Sequence, residues 1–142
     1  MRLKEGILNK KQLKGNSDIE FEIQFIEELL KRVPDFIEAL IVLGDLYTKK
    51  GLYQKGLDID LRLLALRPDD PNVLYNLACS YSLLHQLDDA LATLKRALAL
   101  GYDHFEYLQY DYDLANLRQD SRYQELISTL INSKNTNTQQ QQ

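Results

Sequence analysis

The chain has 142 residues, of which 44% are apolar and 27% are charged, and its single cysteine is Cys79. This composition is typical of a globular domain with a hydrophobic core, and one cysteine excludes an internal disulfide or a multi-cysteine metal site. The net charge is −4, but residues 1–16 hold five basic side chains and one acidic one, so the rest of the chain is strongly acidic, which argues against nucleic acid as its main partner.

The sequence also bears on membranes and compartment. No apolar run approaches the roughly 18 residues of a membrane-spanning helix, and the basic start lacks the apolar stretch of a secretory signal. A single cysteine is compatible with a reducing compartment. We therefore expect a cytoplasmic chain without a membrane span.

The N-terminal third is the least regular part of the sequence. Residues 1–16 form a basic leader, which we expect to be either a short helix or disordered. Residues 17–36 place Ile23, Ile26 and Leu30 at helical spacing before Pro34. This segment reads as the second helix of a partial unit.

A 34-residue period organises the centre of the chain. Eight residues of one unit recur 34 positions later: Leu40, Leu43, Tyr47, Leu57, Arg62, Leu64, Ala65 and Leu66 fall on Leu74, Leu77, Tyr81, Leu91, Arg96, Leu98, Ala99 and Leu100. The period predicts two full repeats, 37–70 and 71–104.

Each repeat reads as two antiparallel helices. Apolar residues at spacings of three and four predict helices over 37–50, 53–66, 72–84 and 87–100. Gly51 ends the first helix as a residue that is free to adopt positive φ. The small residues Gly44 and Gly56 are expected where two helices cross closely.

Beyond residue 104 a third repeat begins and then departs from the pattern. Asp111, Tyr112 and Ala115 stand where the two repeats have Leu, Gly or Ala, and Tyr. We expect residues 105–132 to form a diverted unit and a capping helix over 121–132, with Ser121 or Asp120 as its N-cap. Residues 133–142, rich in Asn and Gln, are expected to be a disordered tail.

The repeats resemble the tetratricopeptide repeat family. The resemblance is carried by Leu40-x-x-Leu43-Gly44-x-x-Tyr47, Gly51-x-Tyr53-x-x-Gly56 and Pro68, and a second time by Leu74-x-x-Leu77-Ala78-x-x-Tyr81 with Leu87-x-x-Ala90. Residues 111–127 are similar to the closing segment of many bacterial repeat proteins. The resemblance implies an all-α, right-handed superhelix of antiparallel helix pairs with a C-terminal capping helix.

In this family the first helices of successive units line a concave groove that accepts a peptide or a partner helix. The resemblance places nine residues on that groove: Glu38, Ile41, Asp45, Lys49, Asn72, Tyr75, Cys79, Ser82 and Gln109. They lie off the packing stripe, so we expect them to be exposed. The groove would be mildly acidic, with Ile41 and Tyr75 as anchors, and would suit a partner segment with basic and apolar residues.

Three classes of function are compatible with these patterns. The leading one is a non-catalytic protein–protein interaction scaffold. The second is an assembly or secretion-type chaperone for one client, which could act as a homodimer, and the third is an enzyme.

Nothing in the sequence carries a catalytic or cofactor motif. The two histidines, His85 and His104, lack metal-ligand spacing. The acidic residues around Asp111 lack the glycine of a calcium loop, and the tyrosines among them are expected to pack the diverted unit. We therefore expect no cofactor, no metal and no catalytic residues.

Overall fold

The computed structural model describes residues 18–140, and the predicted leader, residues 1–16, lies outside the described residues. The first helix, α1, covers residues 18–32 of the described chain. The remaining helices are α2 (Ile37–Lys49), α3 (Tyr53–Leu66), α4 (Pro71–Leu83), α5 (Leu87–Ala99), α6 (Phe105–Tyr110), a 3-10 turn (Tyr112–Leu114), α7 (Ala115–Arg118) and α8 (Ser121–Gln139). Each predicted repeat helix is present within one residue of its expected bounds.

The chain divides into two compact units between Arg67 and Pro68. The N-terminal unit contains α1 to α3, and the C-terminal unit contains α4 to α8 with the 3-10 turn. Across residues 18–140 the ordered elements are helical and no strand occurs. None of the helices in this stretch combines the length and the apolarity that crossing a bilayer requires.

In the N-terminal unit, two glycines allow α2 and α3 to approach closely. A Cβ atom on Gly44 would lie 3.3 Å from Cγ2 of Ile59, and one on Gly56 would lie 3.3 Å from Oγ1 of Thr48. Because these distances are shorter than ordinary side-chain contacts, larger residues at either position would push the helices apart. The expectation that these small residues mark the helix crossing is confirmed.

The helix α1 packs on the same unit through one of its sides. Ile23 and Leu30 are buried, and the Tyr47 hydroxyl donates to Glu27 at 2.6 Å. Burial and this carboxylate together hold the pKa of Tyr47 well above its ordinary value. The opposite side of α1 presents Phe21 and Phe25, which are 70% and 64% exposed.

The repeated arginine has the same contact in both units. The Arg62 guanidinium donates to the Pro34 carbonyl at 2.9 Å, and 34 residues later Arg96 donates to the Pro68 carbonyl at 2.8 Å. In each case the second helix of a repeat fixes the loop that precedes the first helix. A carbonyl in a loop has no ladder partner, so a charged donor satisfies it well.

In the C-terminal unit, α4 and α5 form the second pair, with Leu74, Ala78 and Leu94 almost fully buried between them. The Asp70 side chain accepts from the Asn72 amide at 2.9 Å, and Pro71 occupies the first turn. Proline costs little at that place because its amide would have no intrahelical partner.

The diverted unit replaces one long helix by three short elements. After α6 ends at Tyr110, Asp111 accepts from the Asp113 amide at 3.0 Å and starts the 3-10 turn. Leu108, Leu114 and Leu117 from these elements are almost fully buried.

The last helix is longer than the sequence predicts. Asp120 caps α8 by accepting from the Arg122 amide at 2.9 Å, which decides between the two expected caps. The helix then continues to Gln139, so the prediction that it ends at 132 and that 133–142 is a disordered tail is wrong as far as Gln139. No Gly or Pro interrupts the segment, and Lys134 lies 3.4 Å above the Phe105 ring.

A positive φ recurs at the turn between the two helices of each repeat. Gly51 has a φ of 79°, and His85, 34 residues later, has a φ of 57°. Side chains disfavour this region by roughly 1–2 kcal/mol, whereas glycine does not. The turn geometry is thus kept although its residue type changes.

This turn yields a reciprocal prediction. Gly51→Ala should lower the free energy of unfolding by about 1–2 kcal/mol, since a Cβ there meets nothing within 4 Å and only the backbone is strained. His85→Gly should raise it by roughly 0.5 kcal/mol, because relief of strain exceeds the added entropy of the unfolded chain. Urea unfolding measures both. A loss of stability in both variants would contradict the conclusion that both positions adopt a positive φ.

Candidate functional site

The nine predicted groove residues fall into two sets. Four lie on α2 of the N-terminal unit, and the other five lie on α4 and α6 of the C-terminal unit.

On α2, all four residues are exposed, as expected. Glu38, Ile41, Asp45 and Lys49 follow each other at spacings of three and four, so they share one face of the helix. Ile41 is 47% exposed, and the Lys49 ammonium lies 2.9 Å from the Asp45 carboxylate. We call these four residues the α2 face. It presents an apolar centre flanked by carboxylates.

In the C-terminal unit, the expected exposure is wrong for three of the five residues. Asn72 and Gln109 are exposed, but Tyr75, Cys79 and Ser82 are buried. The 3-10 turn and α7 pack across α4 and cover them.

Hydrogen bonds fix this cover. The Ser82 hydroxyl accepts from the Leu117 amide at 3.2 Å, and the Asn116 side chain donates to the Ser82 carbonyl at 3.0 Å. The diverted unit therefore occupies part of the surface that the family resemblance assigns to a partner.

Tyr75 is the centre of a small polar cluster. Its ring stacks on Tyr102 with centroids 4.3 Å apart and an interplanar angle of 5°. Its hydroxyl donates to Oδ2 of Asp111 at 2.5 Å, and the Cys79 sulfur lies 4.0 Å from the same oxygen. Burial, first of all, and the neighbouring Cys79 and Asp111 hold the pKa of Tyr75 far above its ordinary value, so its hydroxyl acts as a donor.

An open depression lies beside this cluster. Its volume is about 370 Å³. We call it the tyrosine depression, and it is lined by Asn72, Tyr75, Asn76, Tyr102, His104, Tyr107 and Asp111. Two of the predicted groove residues, Asn72 and Tyr75, thus contribute to one site.

The tyrosines of the diverted unit do not all pack it as expected. Tyr102 is buried and Tyr107 is half-exposed, but Tyr110 and Tyr112 are 79% and 81% exposed. The expectation fails for the last two because the chain breaks at Asp111 and turns their rings outward. They line none of the depression.

A second depression is apolar. It lies between α6 and α8, and its residues are Phe105, Leu108, Gln109, Ile127, Leu130, Ile131 and Lys134. Of the predicted groove residues it contains only Gln109. Ile131 is 46% exposed there, so the capping helix leaves part of its own apolar face uncovered.

The tyrosine depression presents groups that can contact a ligand. Among residues 18–140, no three His, Cys, Asp or Glu side chains are arranged to hold a metal ion. The tyrosine depression instead combines aromatic rings, two amides and one carboxylate. Such groups recognise a ligand by stacking, hydrogen bonds and charge.

The groove prediction missed five residues that line the tyrosine depression: Asn76, Tyr102, His104, Tyr107 and Asp111. Of these, Asp111 and Tyr102 carry a signal in the sequence. Both break the 34-residue pattern, since Asp111 stands where Leu43 and Leu77 occur and Tyr102 where Pro68 occurs. A carboxylate at a core position of a repeat is costly unless it is hydrogen-bonded. That departure is the sequence signal that could have identified the site.

The repeats match family models and a curated protein. Two models, each described as tetratricopeptide repeat, match residues 39–74 and 61–92. A curated protein from Arabidopsis thaliana, whose name describes it as chloroplastic, is 32% identical over 104 residues, which are 71% of this chain and 30% of that protein. The chain therefore spans about a third of the length of this relative.

Solved structures show the same fold. MamA 41-end from Desulfovibrio magneticus RS-1 aligns with a TM-score of 0.63 at 19% identity, over 85% of this chain and 71% of that one. A crystal structure of MamA aligns with a TM-score of 0.63 at 23% identity, over 82% of this chain and 67% of that one.

A further structure of MamA protein is 27% identical with a TM-score of 0.56, over 66% of this chain and 50% of that one. The predicted all-α fold of tetratricopeptide-type helix pairs is therefore confirmed. Two models described as tetratricopeptide repeat together cover residues 39–92, and the helix pairs and the close crossing at Gly44 agree with them, so this part of the chain consists of tetratricopeptide repeats.

Proposed function

We propose that the chain is a non-catalytic protein–protein interaction scaffold that binds a peptide or a helix of a partner protein. The observation that carries the proposal is the α2 face, which is exposed on the first helix of a repeat that a tetratricopeptide repeat model matches over residues 39–74. The match to the tetratricopeptide repeat models supports it, because first helices are the binding helices in the family that the repeats resemble.

The chemistry of the α2 face favours one kind of partner. Ile41 offers an apolar contact, and burial of its exposed half contributes about 1 kcal/mol. Glu38 and Asp45 flank it with negative charge, of which Asp45 already pairs with Lys49. A partner segment with an apolar anchor next to basic residues fits this arrangement.

The proposal leaves the enzyme hypothesis with little support. Cys79 is the only cysteine and it is buried, whereas a nucleophile must reach its substrate. A cytoplasmic location stays a prediction, and the name of the curated relative places that protein in a chloroplast.

Cross-linking mass spectrometry from native lysate tests the proposal. The wild-type chain should capture a protein cross-linked near α2, and the Ile41→Lys, Asp45→Lys double variant should reduce this capture more than about tenfold, the scale expected for loss of an interface anchor. Leu61→Lys is a matched control, because Leu61 is a similarly exposed apolar residue on α3, at 41%. Equal capture by the double variant would contradict the proposal.

One observation favours the second candidate, a chaperone that works as a dimer. Phe21 and Phe25 form an exposed aromatic stripe on α1, opposite its buried side. Two neighbouring exposed aromatic rings offer apolar area that a second surface could bury. A second copy of the chain is the occupant that this candidate requires.

Light scattering separates the two candidates. The chaperone hypothesis predicts a dimer that Phe21→Ser with Phe25→Ser converts to a monomer, since the stripe would lose its apolar area. Leu61→Ser serves as the control and should leave the mass unchanged. A wild-type monomer at high micromolar concentration would contradict dimerisation through α1.

A further inference from the structure

We propose that the tyrosine depression binds the cationic side chain of an arginine or lysine in the partner segment. The inference rests on the proposed function and names the chemistry that one pocket of the scaffold would recognise. It concerns the C-terminal unit alone and involves no residue of the α2 face.

The walls of the depression are aromatic. The half-exposed ring of Tyr107 is tilted at 38° to Tyr75 with centroids 6.4 Å apart, and His104 lies 5.9 Å from Tyr107. The Tyr75–Tyr102 stack holds Tyr75 in place from behind. Ring faces carry a negative potential, so a cation within about 6 Å of a centroid is attracted to them.

A carboxylate completes the site. Asp111 accepts hydrogen bonds from the Tyr75 hydroxyl at 2.5 Å and from the Asp113 amide at 3.0 Å. The Cys79 sulfur lies 4.0 Å from the same carboxylate, and a carboxylate has about four lone-pair positions, so Asp111 can accept one further bond from a guanidinium or an ammonium. None of the ion pairs formed within residues 18–140 uses Asp111.

The rim of the tyrosine depression also favours a cationic ligand. Asn72 and Asn76 are exposed at the edge, and their amide oxygens can accept from N–H groups. The lining contains neither lysine nor arginine. The exposed carboxylates of Asp103 and Glu106 lie close by in the sequence and add negative charge. An anion would meet repulsion here, and an aliphatic side chain would leave Asp111 without a new partner.

Arginine fits better than lysine. Its planar guanidinium can stack on the Tyr107 ring while its N–H groups reach Asp111 and the asparagine amides. The point charge of lysine offers the attraction without the stacking plane. We therefore expect both to bind, with arginine the tighter ligand.

The probe is N-acetyl-arginine methylamide, titrated into the full chain and followed by NMR of the backbone amides. We expect a dissociation constant in the millimolar range, with shifts at residues 72–76 and 104–111. The citrulline analogue has nearly the same shape without the charge, and it should bind at least about fivefold more weakly, the scale of one cation–π contact with its ion pair.

Matched variants locate the binding. Tyr107→Leu should weaken arginine binding about threefold or more, whereas Tyr110→Leu, at an exposed tyrosine outside the depression, should leave it unchanged. Asp111→Asn should weaken it, and Asp103→Asn should have a much smaller effect. Asp111 also caps the 3-10 turn, so Asp111→Asn could change the local fold as well as the binding. The comparison of Tyr107→Leu with Tyr110→Leu does not depend on that cap.

Two results would overturn the inference. One is equal binding of the arginine and citrulline analogues, and the other is equal weakening by Tyr107→Leu and Tyr110→Leu. Failure of the proposed function is distinguishable. Arginine binding with no captured protein would contradict the scaffold and leave the depression standing, whereas partner capture without arginine preference would contradict the depression alone.

Discussion

The close crossing of α2 and α3 is the contact on which the N-terminal unit and its α2 face depend. Gly44 and Gly56 have no side chains of their own at the crossing. The side chain of Ile59 therefore approaches the backbone of α2 at Gly44, and the side chain of Thr48 approaches the backbone of α3 at Gly56. Each glycine inside a helix costs about 1 kcal/mol relative to alanine. The close packing of α2 on α3 offsets this cost, because a larger residue would push the helices apart. The crossing sets which side of α2 packs against α3, and the α2 face is on the side that stays exposed.

The diverted unit shows how a repeat can be turned into a site. A leucine in the third unit would have continued the core, but Asp111 breaks the helix after Tyr110 and starts the 3-10 turn. Its half-buried carboxylate is stabilised by Tyr75 and by the Asp113 amide. The elements that follow this break cover the surface of α4, and Asp111 together with Tyr102, a second departure from the pattern, lines the tyrosine depression.

Most of the fold could be predicted from the sequence, and the site only in part. The helices of both repeats follow from apolar spacing and from Gly51 and Pro68, which are local signals. The burial of Tyr75 and Ser82 could not be predicted in this way. Periodicity indicates which residues share a face of a helix, but not which later segment covers that face. The end of α8 was missed for a related reason: a polar sequence without Gly or Pro can continue a helix when one side chain, here Lys134, finds a contact.

Gly44 and Gly56 let a side chain of one helix reach the backbone of the other helix. The most direct test is a nuclear Overhauser experiment on the full chain with Ile59 labelled at its methyl groups. The account predicts a strong cross-peak between the Cγ2 methyl of Ile59 and an α-proton of Gly44, since a Cβ in place of that proton would lie 3.3 Å from the methyl carbon. Absence of this cross-peak, with the Ile59 methyl close to some other residue, would contradict the helix crossing and everything argued from it.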